Sequence, residues 1–228
     1  KVTVALQPTN HVQDQSLFDQ IPHPYLPTDL DDPDAVLTVR DYESAPPQMV
    51  PRDQWSFARL EGGRAVPDPG YIHMDSGFLP GKTYQVVFPS TGAPVLGMGL
   101  LAIRDCASFL RYGASTDNNP CAGLVDYAYA FGVSQTGRLL RLFLYLGLNL
   151  DEESRMVFDG LIPHVGGGRR GEFNRRFGLL TSLAKRTVSH IFPFTDTDQA
   201  DPQTGRTDGL LNKLAAQGNV PKVIFTNT

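Results

Sequence analysis

YAYAFGVSQTGRLLRLFLYLG, from Tyr127 to Gly147, is the stretch that decides the fold. It contains a short apolar run, a serine near two glycines, and an apolar run of a different period. The first run is short enough for a buried parallel strand. The second run is apolar at too many positions for a half-exposed strand and is long enough for a largely buried helix. The stretch therefore predicts a strand, a sharp turn at Ser134 and a helix.

The turn itself is similar to the pattern G-x-S-x-G, in which a nucleophilic serine stands on a sharp strand-to-helix turn. Here the sequence reads Gly132-Val133-Ser134-Gln135-Thr136-Gly137, so a threonine stands where the pattern has glycine. We expect Thr136 to fit only if its side chain points away from the preceding strand. Gly137 would then allow the helix to pack closely on the sheet. A serine that merely caps the helix is the alternative interpretation.

The other groups of an acyl-transfer site are assigned by role. The backbone N–H of Gln135 is a natural oxyanion donor, because it is unpaired at a helix start and favoured by the helix dipole. A second donor is expected from the loop APVLGMG, at Gly97 or Met98, although a simple turn into the next helix explains that loop equally well. His164, at the end of the next strand, is predicted to line the pocket or to orient the glycines that follow it. His190 has no clear placement, and neither histidine is expected to be the general base.

Two further motifs bear on ligands. Arg169 and Arg170 follow three glycines and could hold a substrate carboxylate in bidentate fashion, with ion pairing at a surface as the alternative. DTDQADPQTGRTD, from Asp196 to Asp208, has acidic spacing but lacks the glycine and glutamate of an EF-hand loop. An Asx turn before the next helix is the better interpretation. We expect no metal and no cofactor.

Composition excludes several classes of protein. The 228 residues are 41% hydrophobic and 19% charged, which is typical of a folded globular chain and not of a disordered one. The net charge of -4 provides no global basic field for nucleic acid, and no apolar run is long enough for a membrane span. Cys106 and Cys121 could pair or remain free. The cysteine pair and the absent initial methionine favour processed export to a bacterial periplasm, or secretion after signal removal.

Two regions are predicted along the chain. Residues 1–69 form a proline-rich, β-rich N-terminal extension, with strands at AVLTVRDY and WSFARL. Residues 70–228 alternate between strands and helices, which predicts an α/β fold with a mostly parallel sheet flanked by helices. Within this second region GMGLLAIRDCASFLRYG is predicted to be a helix, and TDGLLNKLAAQG a short helix capped by Thr207 or Asp208. The predicted core positions after residue 70 are Phe78, Leu79, Val86, Val87 and Phe88.

Longer blocks point to a family. GFLPGKTYQVVF, GMGLLAIRDCASFLRYG, FPFTDTDQADPQTGRTDGLL, PKVIFTNT and the segment from Tyr129 to Gly178 together resemble the large bacterial α/β-hydrolase-domain proteins of unassigned substrate. The resemblance begins at about Val36. It implies an α/β-hydrolase fold with Ser134 as the nucleophile. It also implies that the chain is an N-terminal portion, with the acid and histidine of the triad beyond residue 228.

These observations predict a serine hydrolase that cleaves carboxylic esters through an acyl-enzyme on Ser134. Its partners would be a small ester or amide substrate and the remainder of the same polypeptide, or a partner chain, that completes the sheet. The 228 residues alone are expected to be inactive, because a serine hydroxyl without a base is nearly inert. The alternatives are a hydrolase-like binding or assembly module without catalytic activity, and a peptidase or acyltransferase on the same fold.

Overall fold

A computed structural model describes residues 1–17, 25–42, 45–93, 98–168, 170–171, 173, 192–202 and 204–227. The described residues fall into two compact units, one before residue 94 and one after residue 97. The first consists of strands and the second mixes strands with helices.

The N-terminal unit is built from eight described strands, each antiparallel to its described neighbours. Four of them form a sheet in the order β1-β8-β3-β4, and the others pair as β2 with β7 and β5 with β6. Their bounds are β1 Val2–Leu6, β2 Val12–Ser16, β3 Val36–Arg40, β4 Gln48–Val50, β5 Ala58–Glu61, β6 Arg64–Pro67, β7 Tyr71–Phe78 and β8 Thr83–Phe88.

The core of this unit follows the alternation of side chains along its strands. In β8 the residues Tyr84, Val86 and Phe88 are buried, because every second side chain of a strand points to the same face. Aromatic rings close the core: the Phe57 ring packs edge-on against Trp55 at 5.3 Å and against Phe88 at 5.4 Å. Aromatic side chains of this size each bury a large apolar surface.

Two of the five predicted core positions are wrong. Phe78, Val86 and Phe88 are fully buried as predicted, but Leu79 is 42% exposed and Val87 is only half-buried. Val87 lies between two inward residues of β8 and therefore faces the opposite side. Leu79 follows the last residue of β7, where the pattern of the strand no longer applies.

The C-terminal unit contains the three described α-helices and a small parallel sheet. The sheet has the order β13-β10-β9, and both neighbouring pairs run parallel. Strands β11 and β12 form a separate antiparallel pair. The elements are α1 Met98–Tyr112, β9 Tyr129–Val133, α2 Gln135–Leu146, β10 Gly160–His164, β11 Gln199–Ala200, β12 Thr207–Asp208, α3 Asn212–Ala216 and β13 Lys222–Val223.

Helix α2 is the centre of this unit. Leu140, Phe143 and Leu144 are buried along it, as the dense apolar pattern predicted. Gly147 follows in the left-handed conformation and ends the helix, and its N–H donates to the carbonyl of Leu144 at 3.0 Å. The helix therefore begins directly after Ser134 and ends at a glycine.

Three details of the C-terminal unit differ from the sequence predictions. β9 is parallel, but its apolar residues Tyr129, Phe131 and Val133 are exposed on one face of the sheet. Among the apolar side chains of α1, only that of Leu100 is buried. Thr207 and Asp208 belong to β12, and α3 begins after Leu211. The last difference arises because the Thr207–Asp208 backbone pairs with β11, so it is unavailable as a helix cap.

Candidate active site

Ser134 occupies a strained turn at the end of β9. Its backbone has φ 53° and ψ -111°, a conformation that residues other than glycine rarely adopt. The residue is exposed, and within the described residues its hydroxyl makes no hydrogen bond. The carbonyl of Ser134 accepts the first bond of α2, from Arg138 N–H at 3.0 Å. The hydroxyl is therefore presented to solvent at the junction of strand and helix.

Two glycines make this turn sterically possible. A Cβ atom at residue 132 would lie 2.6 Å from the carbonyl oxygen of Thr136. A Cβ atom at residue 137 would lie 2.9 Å from the carbonyl oxygen of His164 and 3.1 Å from that of Gly132. Gly132 thus lets the helix start fold back on the strand. Gly137 lets the first turn of α2 lie against the ends of β9 and β10.

Thr136 contacts the strand instead of pointing away from it, which corrects the sequence prediction. Its Oγ1 accepts a hydrogen bond from Val133 N–H at 2.7 Å and donates one to the Val133 carbonyl at 2.8 Å. Both backbone groups of Val133 face away from β10, because β9 is an edge strand of the described sheet. The hydroxyl of Thr136 therefore satisfies an edge that would otherwise be open and ties the helix start to the strand.

Two of the three predicted oxyanion donors, Gln135 and Met98, lie within the described residues. Gln135 is the first residue of α2, and its N–H has no partner within the described residues, as is usual for the first turn of a helix. Met98 is the first residue of α1 and is 63% exposed. No hydrogen bond in the described part of the chain joins Met98 to the Ser134 turn. Gly97 lies outside the described residues.

His164 lies beside Ser134 but is engaged elsewhere. It is the register partner of Val133, and its carbonyl accepts a hydrogen bond from Ser134 N–H at 2.8 Å. Its ring stacks on Phe131 with centroids 6.0 Å apart, and its Nδ1 bonds Thr226 Oγ1 at 2.7 Å. Thr226 was not singled out in the sequence, although it lies within the segment PKVIFTNT.

The next residue, Val165, also has positive φ, at 46°. Such a backbone is unfavourable for a β-branched side chain. Its N–H donates to the Thr226 carbonyl at 2.7 Å, which helps to hold it. Two strained residues thus stand at the carboxyl ends of neighbouring parallel strands, where ligand sites of α/β sheets gather.

Arg170 is buried, and no contact within the described residues joins it to Ser134. It is 9% exposed, lies over the ring of Tyr145 and donates to the carbonyl of Phe192. Arg169 and His190 lie outside the described residues. A second buried arginine, Arg141 on α2, is 4% exposed and was not singled out in the sequence, because it lies within a dense apolar run.

Metal ligands, disulfides and membrane spans are absent from the part of the chain that the structure describes. Among the described residues no group of three His, Cys, Asp or Glu side chains could hold a metal ion. Cys106 is exposed and Cys121 half-buried, and the two are not bridged. In the described part of the chain no helix has the length and apolarity needed to cross a bilayer.

Comparison with known families decides the relationship. A family model described as "Alpha/beta hydrolase domain" matches residues 71–200, which is more than half of the chain. The chain belongs to this family. The matched segment runs from the start of β7 to the end of β11 and includes the Ser134 turn, β10 and His164. A search of curated proteins found no match, and a search of solved structures found none either.

Membership of the alpha/beta hydrolase domain family supports the fold class at a coarse level and a function of hydrolase type. The match begins at residue 71, so the resemblance over residues 36–70 stays a prediction. Within the described residues the sheets are several and mostly antiparallel, and the parallel arrangement is limited to β9, β10 and β13.

Proposed function

We propose that this alpha/beta hydrolase domain protein is a serine hydrolase that cleaves carboxylic esters. Ser134 Oγ attacks the acyl carbon, the leaving alcohol departs, and water then releases the acyl group from the serine. The N–H of Gln135 and an N–H of the 97–99 segment stabilise the negative charge that develops on the carbonyl oxygen. The observation that carries the proposal is the exposed Ser134 hydroxyl on a backbone with φ 53° and ψ -111°, between β9 and α2.

The strain at this place supports a functional role. A conformation of this kind costs on the order of 1–3 kcal/mol and persists where the surroundings hold it in place. Around Ser134 the surroundings are Gly132, Gly137 and the two hydrogen bonds of Thr136. A serine that served only as a helix cap would use its side chain to accept a backbone N–H, but Ser134 makes no side-chain cap bond.

The proposal places the acid and histidine of the triad beyond residue 228. Within the described residues, no histidine ring bonds the Ser134 hydroxyl, and the nearby His164 bonds Thr226 instead. The missing groups would come from the remainder of the polypeptide, or from a partner chain, that extends the parallel sheet. The domain division at 69/70 and the pocket roles of His164, Arg169 and Arg170 belong to the same proposal.

Hydrolysis of p-nitrophenyl acetate by the full-length protein tests the assignment. We expect Ser134→Ala to lower kcat by more than about 10⁴-fold, because removing a triad nucleophile leaves only binding and oxyanion stabilisation. Ser115→Ala changes an exposed serine outside the turn and should leave kcat unchanged. Hydrolysis that survives in Ser134→Ala would remove this serine from the mechanism.

A second function is a binding or assembly module that has kept the hydrolase turn without its chemistry. The unpartnered Ser134 hydroxyl favours it, because an active nucleophile normally bonds its base. A full-length protein that folds but turns over no activated ester would favour this alternative. A peptidase or acyltransferase would share the Ser134 chemistry and would differ in which acyl donor or acceptor is used.

A further inference from the structure

Arg141 is a buried cation on the helix that follows Ser134. It lies about two turns along α2 from the serine, and it is 4% exposed. Arginine is almost never buried to this degree unless a charge pairs with it, but both of its described hydrogen bonds go to neutral carbonyl groups. An apolar side chain of similar volume would cost less to bury. The contacts of the guanidinium group therefore indicate what the buried charge is used for.

The Nη2 atom of Arg141 bridges two segments of the chain. It donates to the carbonyl of Gly168 at 3.0 Å and to that of Phe194 at 2.6 Å. The two segments touch here, because a Cβ atom at residue 168 would lie 3.7 Å from the Cβ atom of Phe194. Among the described residues, no other hydrogen bond reaches the three glycines 166–168. Arg141 therefore anchors the far end of the glycine loop, residues 165–168, which follows β10.

The near end of the glycine loop lies against the Ser134 turn. His164, the last residue of β10, accepts a hydrogen bond from Ser134 N–H at 2.8 Å. Two residues later, a Cβ atom at Gly166 would lie 3.1 Å from the carbonyl carbon of Gly137 in the first turn of α2. A displacement of the glycine loop would therefore be transmitted directly to the backbone that carries Ser134.

The ring of Phe225 connects Arg141 to the same loop by a second route. The guanidinium carbon lies 4.8 Å from the centroid of this ring. The next residue, Thr226, accepts a hydrogen bond from Val165 N–H at 2.7 Å, and its hydroxyl bonds His164 Nδ1 at 2.7 Å. These bonds help to hold Val165 at φ 46°, which is unfavourable for a β-branched residue. The contacts of Arg141 thus close a ring that begins and ends on α2.

Strained backbone persists only where its surroundings hold it, and it is concentrated at functional sites. Ser134 and Val165 are both strained, and this ring of contacts reaches both. We propose that Arg141 is a positioning residue for the Ser134 site: its guanidinium group anchors the glycine loop and the backbone of residues 225–226, and thereby keeps the Ser134 turn in the conformation that presents the hydroxyl. A guanidinium group suits this role, because its N–H groups donate to carbonyls while its planar face packs on a ring. The inference rests on the proposed function of Ser134.

Hydrolysis of p-nitrophenyl acetate by the full-length protein tests the effect on the reaction. We expect Arg141→Met, which removes the donors, to lower kcat by about 10- to 100-fold and to change KM by less than about threefold, since misplacing a reacting group by about 1 Å has an effect of this size. Arg141→Lys retains a donor and should recover part of the lost kcat. Asp151→Asn is the matched control, because it removes hydrogen bonds in the same unit away from the glycine loop. It should leave kcat unchanged.

Hydrogen exchange provides a readout that does not depend on the reaction. We expect the amides of Ser134 and Val165 to exchange at least about tenfold faster in Arg141→Met than in the wild type, because local opening of the turn is no longer opposed. In Asp151→Asn they should exchange at the wild-type rate. Wild-type exchange in Arg141→Met, or a loss of kcat no larger than that in Asp151→Asn, would overturn the proposal. Faster exchange in Arg141→Met together with a wild type that cleaves no ester would support the anchoring role and contradict the role of Ser134.

Phe225→Leu keeps the proposal testable if Arg141→Met does not fold. Phe225 is 36% exposed, and the substitution removes the aromatic face that packs on the guanidinium group. We expect the amides of Ser134 and Val165 to exchange about two- to fivefold faster in this variant, as the loss of one such contact implies. Exchange at the wild-type rate would refute the anchoring role.

Discussion

A side chain at residue 132 would clash with the backbone of the first turn of α2. Its Cβ atom would lie 2.6 Å from the Thr136 carbonyl oxygen, which belongs to the backbone and cannot rotate away. We predict that Gly132→Ala destabilises the chain by about 1–3 kcal/mol, the usual range for overpacking. Gly99→Ala is the control, because a Cβ atom there meets open space in α1, and the change should gain up to about 1 kcal/mol. Urea unfolding measures both, and equal effects would show that the turn is not sterically tight.

The sequence predicted the position of some residues of the turn but not the side-chain direction of others. Ser134 could be placed because the apolar period changes on its two sides. The direction of the Thr136 side chain could not, because it depends on backbone groups of Val133 that no described strand pairs with, and that arrangement exists only once β9 and β10 have paired. Arg141 was missed for a related reason: burial of a charged residue depends on its neighbours in space.

Between elements, Asp151 connects α1 to the turn that follows α2. It accepts hydrogen bonds from Ser108 Oγ at 2.6 Å, Arg155 Nε at 2.8 Å and two backbone N–H groups. Burial would raise the pKa of Asp151, but these donors lower it to about 2. We predict that Asp151→Asn costs about 2–3 kcal/mol, because an amide cannot accept all of these bonds.

Glu152→Gln is the matched control for Asp151→Asn, because the Glu152 side chain is 87% exposed. Its change should stay within about 0.5 kcal/mol. Urea unfolding of both variants at pH 7 provides the comparison. An Asp151→Asn protein as stable as the wild type would mean that this carboxylate does not hold α1 in place.

Strands β2 and β7 are joined by a histidine between two carboxylates. His73 is buried, and its Nδ1 and Nε2 lie 2.6 Å from Asp14 and 3.0 Å from Asp75. Burial alone would lower the pKa of His73, but the bonds to both carboxylates raise it above the usual value. The stabilisation is therefore fully present below the unfolded pKa of about 6.5 and is lost as pH rises through the folded pKa.

We predict that the N-terminal unit loses stability as the pH rises above about 6.5, by at most about 1.4 kcal/mol per pH unit. Urea unfolding across this range measures it. His73→Gln should flatten the dependence, whereas His11→Gln changes an exposed ring on the same strand pair and should preserve it. A wild-type profile as flat as that of His73→Gln would contradict the prediction.

Elements were predicted well where their pattern was local. The bounds of α1 and α2 follow from apolar spacing closed by glycine, and β10 ends at His164, where a strand was expected to end. Burial of β9 was predicted wrongly, because an apolar strand is exposed wherever no element covers its face. The predicted N-cap of α3 was wrong, because Thr207 and Asp208 pair with β11 as part of β12.

For the whole molecule, family membership could be inferred from long blocks of sequence, and the family match confirms it over residues 71–200. The extent of a parallel sheet could not be read in the same way. Parallel pairing needs strands that are distant in sequence, and among the described residues it joins only β9, β10 and β13. A larger parallel sheet, with the triad acid and histidine beyond residue 228, stays a prediction.

Ser134 is proposed as the nucleophile of this alpha/beta hydrolase domain protein. Incubation of the full-length protein with a fluorophosphonate, followed by intact mass and peptide mapping, tests it most directly, because the probe reacts covalently with an activated serine. We predict one adduct per chain on the peptide that contains Ser134, and none in Ser134→Ala. An adduct on another serine, an adduct that persists in Ser134→Ala, or no adduct on the folded full-length protein would contradict the account.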